Sequence, residues 1–207
     1  MLLKRGFLLE VFALVVYNLT MNKFFFDQMT LDHVLAMRTW GTNENPLLKS
    51  YDFWPRTPEE CMYWHHEKTK HAYNEYYVYC LGDQVICYLS IKNIDREEGT
   101  ARLGLVMDPN FQSQGYGYEI MKDFLEKYFS WGFKKMDLTV AAFNERAINL
   151  YKKLGFKYIK RSYSFFDGDR SAITSDMKKH FIFLPGLTIC KNYLMEIGGD
   201  GCEIYRS

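Results

Sequence analysis

Two glycines separated by one residue stand where an apolar run gives way to an amphipathic segment. They are Gly115 and Gly117 in the stretch QSQGYG, which follows LGLVMDPNF and precedes YEIMKDFLEKYF. Because glycine has no Cβ, the backbone there can approach a ligand closely and adopt strained dihedral angles. A helix beginning near Gly117 would also present unpaired N–H groups and the positive end of its dipole. This arrangement favours binding of an anion, and phosphate is the best candidate.

Other phosphate-binding motifs do not fit this stretch. No Gly-Lys-Ser/Thr follows, as a P-loop requires, and Ile120 stands where a dinucleotide-binding motif has its third glycine. Taken alone, the six residues are equally compatible with a simple turn between a strand and a helix.

The segments around the glycines predict the elements that position them. TARLGLVMD predicts a strand, YEIMKDFLEKYFSWG a helix and KKMDLTVAAF a second strand, so a crossover connects parallel neighbours. Upstream, two β-rich runs joined by Gly82 and Asp83 predict an antiparallel hairpin. Downstream, Asn144 and Gly155 are typical of the start and end of a short helix.

The remaining segments complete an α+β pattern. KFFFDQMT predicts a first strand, and TLDHVLAMRTWG a helix capped by Thr30 or Asp32. A second helix follows Thr57, where Glu60 completes a capping box, after a loop-like stretch NENPLLKSYDFWPR. KYIKRSYSFF and ICKNYLMEI predict closing strands on either side of a polar insertion, residues 167–180. The predicted sheet is mixed, antiparallel at its N-terminal side with a central parallel pair.

The amino-acid composition limits the number of domains and the classes of binding partner. The 207 residues, 48% of them hydrophobic, suit a single domain, which we assign to residues 21–207 after an N-terminal extension of residues 1–20. The 26 basic and 25 acidic residues form no long block of like charge, which excludes a dedicated nucleic-acid binder. The five cysteines lack the spacing of a zinc site, so we expect no metal and reduced, mostly buried thiols in a cytoplasmic protein.

The N-terminal extension leaves three interpretations open. Lys4 and Arg5 precede an apolar run, as in a signal peptide, but Glu10 interrupts the run and no small-residue cleavage site follows. The run is also shorter than the roughly 18 apolar residues of a membrane span. The alternatives are an export signal or anchor, a packed accessory segment, or a natural start at Met21. We expect no membrane association.

Two motifs in this order resemble the acetyl-CoA-binding core of the GNAT acyltransferase superfamily. The first is Gln112-x-x-Gly115-x-Gly117, and the second is Asn144-x-x-Ala147-x-x-x-Tyr151-x-x-x-Gly155-Phe156. The resemblance spans residues 100–157, and it extends more loosely over residues 24–197. It implies a GNAT-like mixed sheet with helices on both faces. FFFDQMTLDHVLAMR and TPEECMYW are similar to the branch that contains the ribosomal-protein N-terminal acetyltransferases.

Carried onto these positions, the resemblance implies a cofactor site for acetyl-CoA. Backbone N–H groups would bind the pyrophosphate, and the strand holding Leu105 and Met107 would pair with the pantetheine arm, with the Leu105 N–H polarising the thioester carbonyl. Tyr151 would protonate the departing thiolate, since a phenol with a pKa near 10 stays protonated at neutral pH. The cofactor residues this implies are Leu105, Met107, Gln112, Ser113, Gln114, Gly115, Tyr116, Gly117, Tyr118, Asn144 and Tyr151.

The base that deprotonates the acceptor is not evident from the sequence. The cofactor strand begins TARLG with no acid, Glu97 and Glu98 lie upstream in a loop, and His65 and His66 share a helix with charged residues. The predicted activity is acetyl transfer from acetyl-CoA to a primary amine by direct attack, in a monomer or homodimer. The acceptor is a peptide N-terminus or a small molecule. The alternative is an acyl-CoA-binding sensor without turnover.

Overall fold

The computed structural model describes residues 23–198. The predicted extension of residues 1–20, the alternative start at Met21 and residues 199–207 lie outside the described residues. The strands are β1 (Phe25–Gln28), β2 (Glu75–Leu81), β3 (Gln84–Asp95), β4 (Thr100–Met107), β5 (Lys135–Ala141), β6 (Lys157–Phe165), β7 (Phe181–Leu184) and β8 (Leu187–Gly198). The α-helices are α1 (Leu31–Ala36), α2 (Pro58–Thr69), α3 (Tyr116–Ser130) and α4 (Glu145–Lys153). Short 3-10 helices are Met37–Thr39, Pro46–Tyr51, Pro109–Phe111, Arg170–Ala172 and Ser175–His180.

All of these strands belong to one mixed sheet, as the α+β prediction required. Its order is β1-β2-β3-β4-β5-β8-β6, with β7 also paired to β8. Neighbours from β1 to β4 are antiparallel, β4 and β5 are parallel, and β8 is antiparallel to β5, β6 and β7. The predicted hairpin at Gly82 and the predicted central parallel pair are therefore confirmed.

Helices cover both faces of the sheet. Val78 packs in a cluster with Val34 of α1 and Trp64 of α2, whereas the next residue, Tyr79, packs in a cluster with Phe124 of α3. Since successive residues of a strand point to opposite faces, α1 and α2 lie on one face and α3 and α4 on the other. The glycine loop, residues 112–117, leads from β4 into α3. It lies at the edge of the sheet where the parallel strands β4 and β5 end.

The predicted helix starts are confirmed by their capping contacts. Thr30 caps α1 and Thr57 caps α2, and the Glu60 side chain accepts from the Thr57 N–H at 3.0 Å. The Asn144 side chain accepts from the Ala147 N–H at 3.2 Å, and Gly155 ends α4 with φ +91°. The first helix is shorter than predicted, because it ends at Ala36 and continues only as a 3-10 turn.

The segment predicted as a polar insertion is more ordered than expected. It holds two 3-10 helices, and the strand after it, β7, was not predicted; β8 also begins at Leu187, before the predicted ICKNYLMEI. The turn is Pro185-Gly186, with Gly186 at φ +71°, which joins β7 and β8 as a hairpin. Ile173 and Phe181 pack with Leu47 and Phe143 in a small apolar cluster, which fixes the insertion against the Pro46–Tyr51 helix.

The described part of the chain holds four of the five cysteines. Cys61, Cys80, Cys87 and Cys190 are buried free thiols, as expected, and Cys202 lies outside the described residues. Between residues 23 and 198, no helix has the length and apolar content needed to cross a membrane.

Candidate active site

The parallel strands β4 and β5 separate part-way along their length. Their pairing runs only from Thr100 opposite Lys135 to Leu103 opposite Leu138, although β4 continues to Met107. On its other side β4 remains paired with β3 as far as Met107. Among the strands of residues 23–198, none pairs with the edge of residues 104–107 that faces β5, and the backbone groups of this edge border a gap in the sheet.

A cavity of about 370 Å³ occupies this gap. β5 contributes Leu138, Thr139 and Val140 to its wall. Predicted site residues supply much of the remainder, namely Leu105, Met107, Gln112, Ser113, Gly115, Gly117, Tyr118, Asn144 and Tyr151. Gln114 and Tyr116 do not line it. The Gln114 side chain donates to the Asn110 carbonyl at 2.9 Å, and the Tyr116 ring packs on Phe24.

The glycine loop presents a series of unpaired backbone donors. Ser113 at φ +63° and Gly115 at φ +85° adopt left-handed conformations. Within residues 23–198, the N–H groups of residues 113–117 donate to no other group, whereas the Tyr118 N–H donates to the Gly115 carbonyl at 3.0 Å. The described loop therefore offers its free donors at residues 113–117, directly at the N-terminus of α3 where the helix dipole is positive.

Side-chain contacts hold this loop against the end of β4. The Gln112 amide donates to the Met107 carbonyl at 3.3 Å. The buried Asp108 carboxylate accepts from the N–H groups of Gly41 and Asn110, each at 3.0 Å. The predicted Gln112 thus orients the loop as well as lining the cavity.

Tyr151 lies in the cavity wall, one helical turn after Ala147. It is 7% exposed, and its ring packs edge-on against Phe156. Among the described residues its hydroxyl has no hydrogen-bond partner. Burial raises the pKa of Tyr151 above its ordinary value, and the nearby Tyr51 and Cys87 raise it further. The phenol therefore stays protonated at neutral pH and is available as a donor to a group in the cavity.

The far side of the cavity is formed by residues outside the two sequence motifs. Asn43, Leu48 and Tyr51 come from the segment between α1 and α2 that was read as a loop. Asn43 is buried, and its backbone and side-chain N–H groups donate to Asp52 at 2.8 and 2.6 Å. Burial raises the pKa of Tyr51. Asn43 and Leu48 belong to no motif that would have identified them from the sequence.

Several large aromatic residues of α2 and of the segment between α1 and α2 lie in the core. Trp40 and Trp64 are buried, and they pack with Phe53 and Tyr88 between the sheet and α2. Trp54 is exposed but lines neither of the cavities described here. Tyr51, from the same segment, borders the cofactor cavity.

A second cavity of about 410 Å³ adjoins the first. Leu48, Asn144 and Arg146 line both cavities, so the two share a wall. The rest of the second cavity is formed by the start of α4 and by the 3-10 helix of the insertion. Its other residues are Asn45, Phe143, Glu145, Asp176, Met177, Lys179 and His180. Arg146 falls inside the Asn144 motif, so its position could have been noted from the sequence.

The four base candidates from the sequence lie away from both cavities. The N–H groups of Glu97 and Glu98 donate to Asp95 in the turn before β4. Glu98 precedes Leu105 by seven residues, or roughly 20 Å of extended strand. His65 and His66 are on α2, which contributes to neither cavity. The buried His65 Nε2 has no hydrogen-bond partner within residues 23–198.

Comparisons with known proteins identify the class of fold. The spermidine N-acetyltransferase from Vibrio cholerae, solved with CoA and spermine, is 15% identical, with a TM-score of 0.65 over 86% of this chain and 97% of that one. A dodecameric structure of the same Vibrio cholerae enzyme is 13% identical, with a TM-score of 0.62 over 89% of this chain and 99% of that one. No curated protein sequence matches the chain. At these identities the likeness establishes the acetyltransferase fold.

Residues 36–156, more than half of the chain, match the Acetyltransferase (GNAT) family. The chain belongs to this family, and acetyl-CoA is its cosubstrate for acetyl transfer to an amine. Residues 23–198 contain no group of three or more His, Cys, Asp and Glu side chains arranged for a metal ion.

Proposed function

We propose that this enzyme transfers an acetyl group from acetyl-CoA to a primary amine by direct attack of the amine on the thioester, without a covalent enzyme intermediate. One observation carries the proposal. The open edge of β4, the unpaired loop donors and the Tyr151 phenol all border a single cavity.

The residues present fit the parts of acetyl-CoA. The free N–H groups of residues 113–117 at the α3 N-terminus would hold the pyrophosphate. The open edge around Leu105 and Met107 would pair with the amide groups of the pantetheine arm. The Leu105 N–H would polarise the thioester carbonyl as negative charge develops on its oxygen. Asn144 uses its side-chain oxygen as the α4 cap, which leaves its amide N–H₂ to donate to the cofactor.

Tyr151 would act as the general acid. Burial and its neighbours hold its pKa above that of a free phenol, so it carries a proton at any pH near neutrality. When the bond between the carbonyl carbon and sulfur breaks, the phenol would donate this proton to the CoA thiolate. Positioning of the amine against the thioester would supply the rest of the acceleration.

Two resemblances favour different classes of acceptor. The sequence cues favour the branch of ribosomal-protein N-terminal acetyltransferases, whose acceptor is a protein N-terminus. The structural neighbours named above act on spermidine, and one was solved with spermine. A cytoplasmic domain of residues 21–207, monomeric or homodimeric, completes the proposal. The Vibrio cholerae enzyme has a dodecameric structure, so the oligomeric state should be measured. An assembly larger than a dimer would contradict this part of the proposal.

Thiol release from acetyl-CoA tests the activity. The acceptors compared are spermidine, 1,4-diaminobutane, a free amino acid and a peptide with an unblocked N-terminus. We expect CoA release that depends on one of these amines. Tyr151→Phe should lower turnover by about 10²-fold, as for general acid–base groups, and leave CoA affinity nearly unchanged. Tyr158→Phe, at an exposed tyrosine of β6, is the matched control.

Two outcomes would contradict the proposal. Binding of acetyl-CoA without amine-dependent release would favour the sensor without turnover, which the lack of an acid on β4 slightly supports. Unchanged turnover in Tyr151→Phe would remove this phenol from the mechanism.

A further inference from the structure

The second cavity adjoins the proposed cofactor cavity. Leu48 and Asn144 form part of the wall it shares with the cofactor cavity. Its volume of about 410 Å³ lies in the range of small-molecule sites. Leu48, Phe143 and Met177 make an apolar part of the lining, and the remainder is polar or charged.

Charged groups around this cavity are not neutralised by one another. Within residues 23–198, none of the side chains of Glu145, Arg146, Asp176 and Lys179 takes part in a salt bridge. A cavity lined by charged groups without partners is better suited to a polar, charged guest than to an apolar one.

We propose that the second cavity binds the acceptor, a small-molecule primary amine, and that His180 takes the proton from its ammonium group. This inference rests on the proposed acetyl transfer, because only the neutral amine is a nucleophile and a base is needed near neutral pH. His180 ends the 3-10 helix Ser175–His180 and is half-buried in the cavity wall.

Burial and the charged groups that face His180 together lower the pKa of its imidazole. They come from its own 3-10 helix, from the start of α4 and from β8, where the Lys191 ammonium donates to the Lys179 carbonyl at 2.6 Å. Burial lowers the pKa of His180 most, Lys179 and Lys191 lower it further, and Glu145 opposes them. The charged residues in question are Glu145, Arg146, Asp176, Lys179 and Lys191.

Imidazole is a better base here than the neighbouring carboxylates. A side-chain carboxylate ordinarily has a pKa near 4, far below that of an alkylammonium, whereas imidazole titrates close to neutrality. Proton transfer is most efficient when the pKa of the base lies near the working pH. Glu145 and Asp176 would therefore attract the ammonium, and His180 would deprotonate it.

The protons balance over the whole step. An imidazole nitrogen of His180 takes one proton from the ammonium and later releases it to solvent. The neutral amine forms a bond to the carbonyl carbon, and the carbon–sulfur bond breaks as the intermediate collapses. The second proton leaves the attached nitrogen as Tyr151 protonates the thiolate, and the phenol is restored by that proton. The products are the acetamide and CoA thiol.

The test compares His180→Gln and His180→Asn with His66→Gln, a control at an exposed histidine of α2. Spermidine is the first probe, followed by the amine turned over fastest in the acceptor panel. At pH 7 we expect kcat/KM to fall by about 10²-fold in both His180 variants. In these variants the rate should rise about tenfold per pH unit up to the pKa of the amine, near 10. The loss should therefore shrink at high pH, a pattern that a purely structural role would not give.

CoA affinity separates this inference from the proposed function. The His180 variants should bind CoA as the wild type does, which also reports that they are folded. A parallel pH profile in wild type and both variants, with CoA bound normally and Tyr151→Phe impaired, would overturn the role of His180 and leave acetyl transfer standing. Absence of amine-dependent CoA release from the wild-type enzyme would overturn both.

Discussion

Gly115→Ala isolates the contribution of the loop conformation to cofactor binding. Gly115 has φ +85°, and an added Cβ would meet no atom within 4 Å. The substitution therefore introduces no clash, and its cost is conformational. Holding an L-residue in the left-handed region costs about 1–2 kcal/mol. We expect the Gly115→Ala loop to relax from this conformation without cofactor and to return to it in order to present the N–H groups of residues 113–117, so most of this cost should appear in binding.

The expected result is CoA binding weakened by about 5–30-fold, which corresponds to 1–2 kcal/mol. The free energy of unfolding without ligand should change by less than about 1 kcal/mol, since alanine also reduces the entropy of the unfolded chain. Isothermal titration calorimetry gives the affinity, and urea unfolding gives the stability.

Gly117→Ala is the matched control two residues further on. Gly117 lies inside α3, and an added Cβ would make ordinary contacts with Leu150 at 3.6 Å and Met107 at 3.8 Å. Alanine is favoured over glycine in a helix by up to about 1 kcal/mol, so stability should be equal or higher. Because the Gly117 N–H is unchanged by this substitution and the added Cβ causes no clash, CoA affinity should stay within about threefold. Equal losses in both variants, or wild-type affinity in Gly115→Ala, would refute the conformational argument.

Two further predictions concern the sheet and the thiols. A Cβ at Gly104 would approach the Ser90 Oγ to 2.5 Å, so Gly104→Ala should lower the free energy of unfolding in urea by about 1–3 kcal/mol. Adding Ser90→Ala should restore most of it, because the Ser90 Cβ is 3.9 Å away; no rescue would contradict this steric cause. The buried Cys61, Cys80, Cys87 and Cys190 should resist alkylation until the chain unfolds, with the pKa of Cys190 raised by burial to about 11. Rapid labelling of Cys190 in the folded protein, detected by mass spectrometry, would contradict it.

Local signals were sufficient for the elements that carry the cofactor site. Asn144, Thr57 and Gly155 mark helix ends through contacts within a few residues, and these contacts are present in the structure. The order strand, helix, strand around the glycine loop likewise required β4 and β5 to be parallel neighbours. Sequence reasoning was adequate wherever a short-range hydrogen bond or a chain crossover decided the outcome.

The structural features that the sequence did not indicate depend on tertiary packing. The separation of β4 from β5 after Leu103 leaves no local trace in either strand. The Pro46–Tyr51 helix and the insertion look polar and loop-like, and they are ordered by a cluster that joins Leu47, Ile173 and Phe181 across the chain. β7 did leave a signal, the apolar FIFL before Pro185-Gly186, which is typical of a hairpin.

Amide hydrogen exchange on the full chain, with and without CoA, tests the placement of the cofactor most directly. The proposed site predicts slower exchange in two segments, residues 104–107 on the open edge of β4 and residues 113–117 in the glycine loop. The exposed strand β6 should exchange at the same rate in both samples. CoA binding that leaves residues 104–107 and 113–117 unprotected, or that protects other segments instead, would contradict the account.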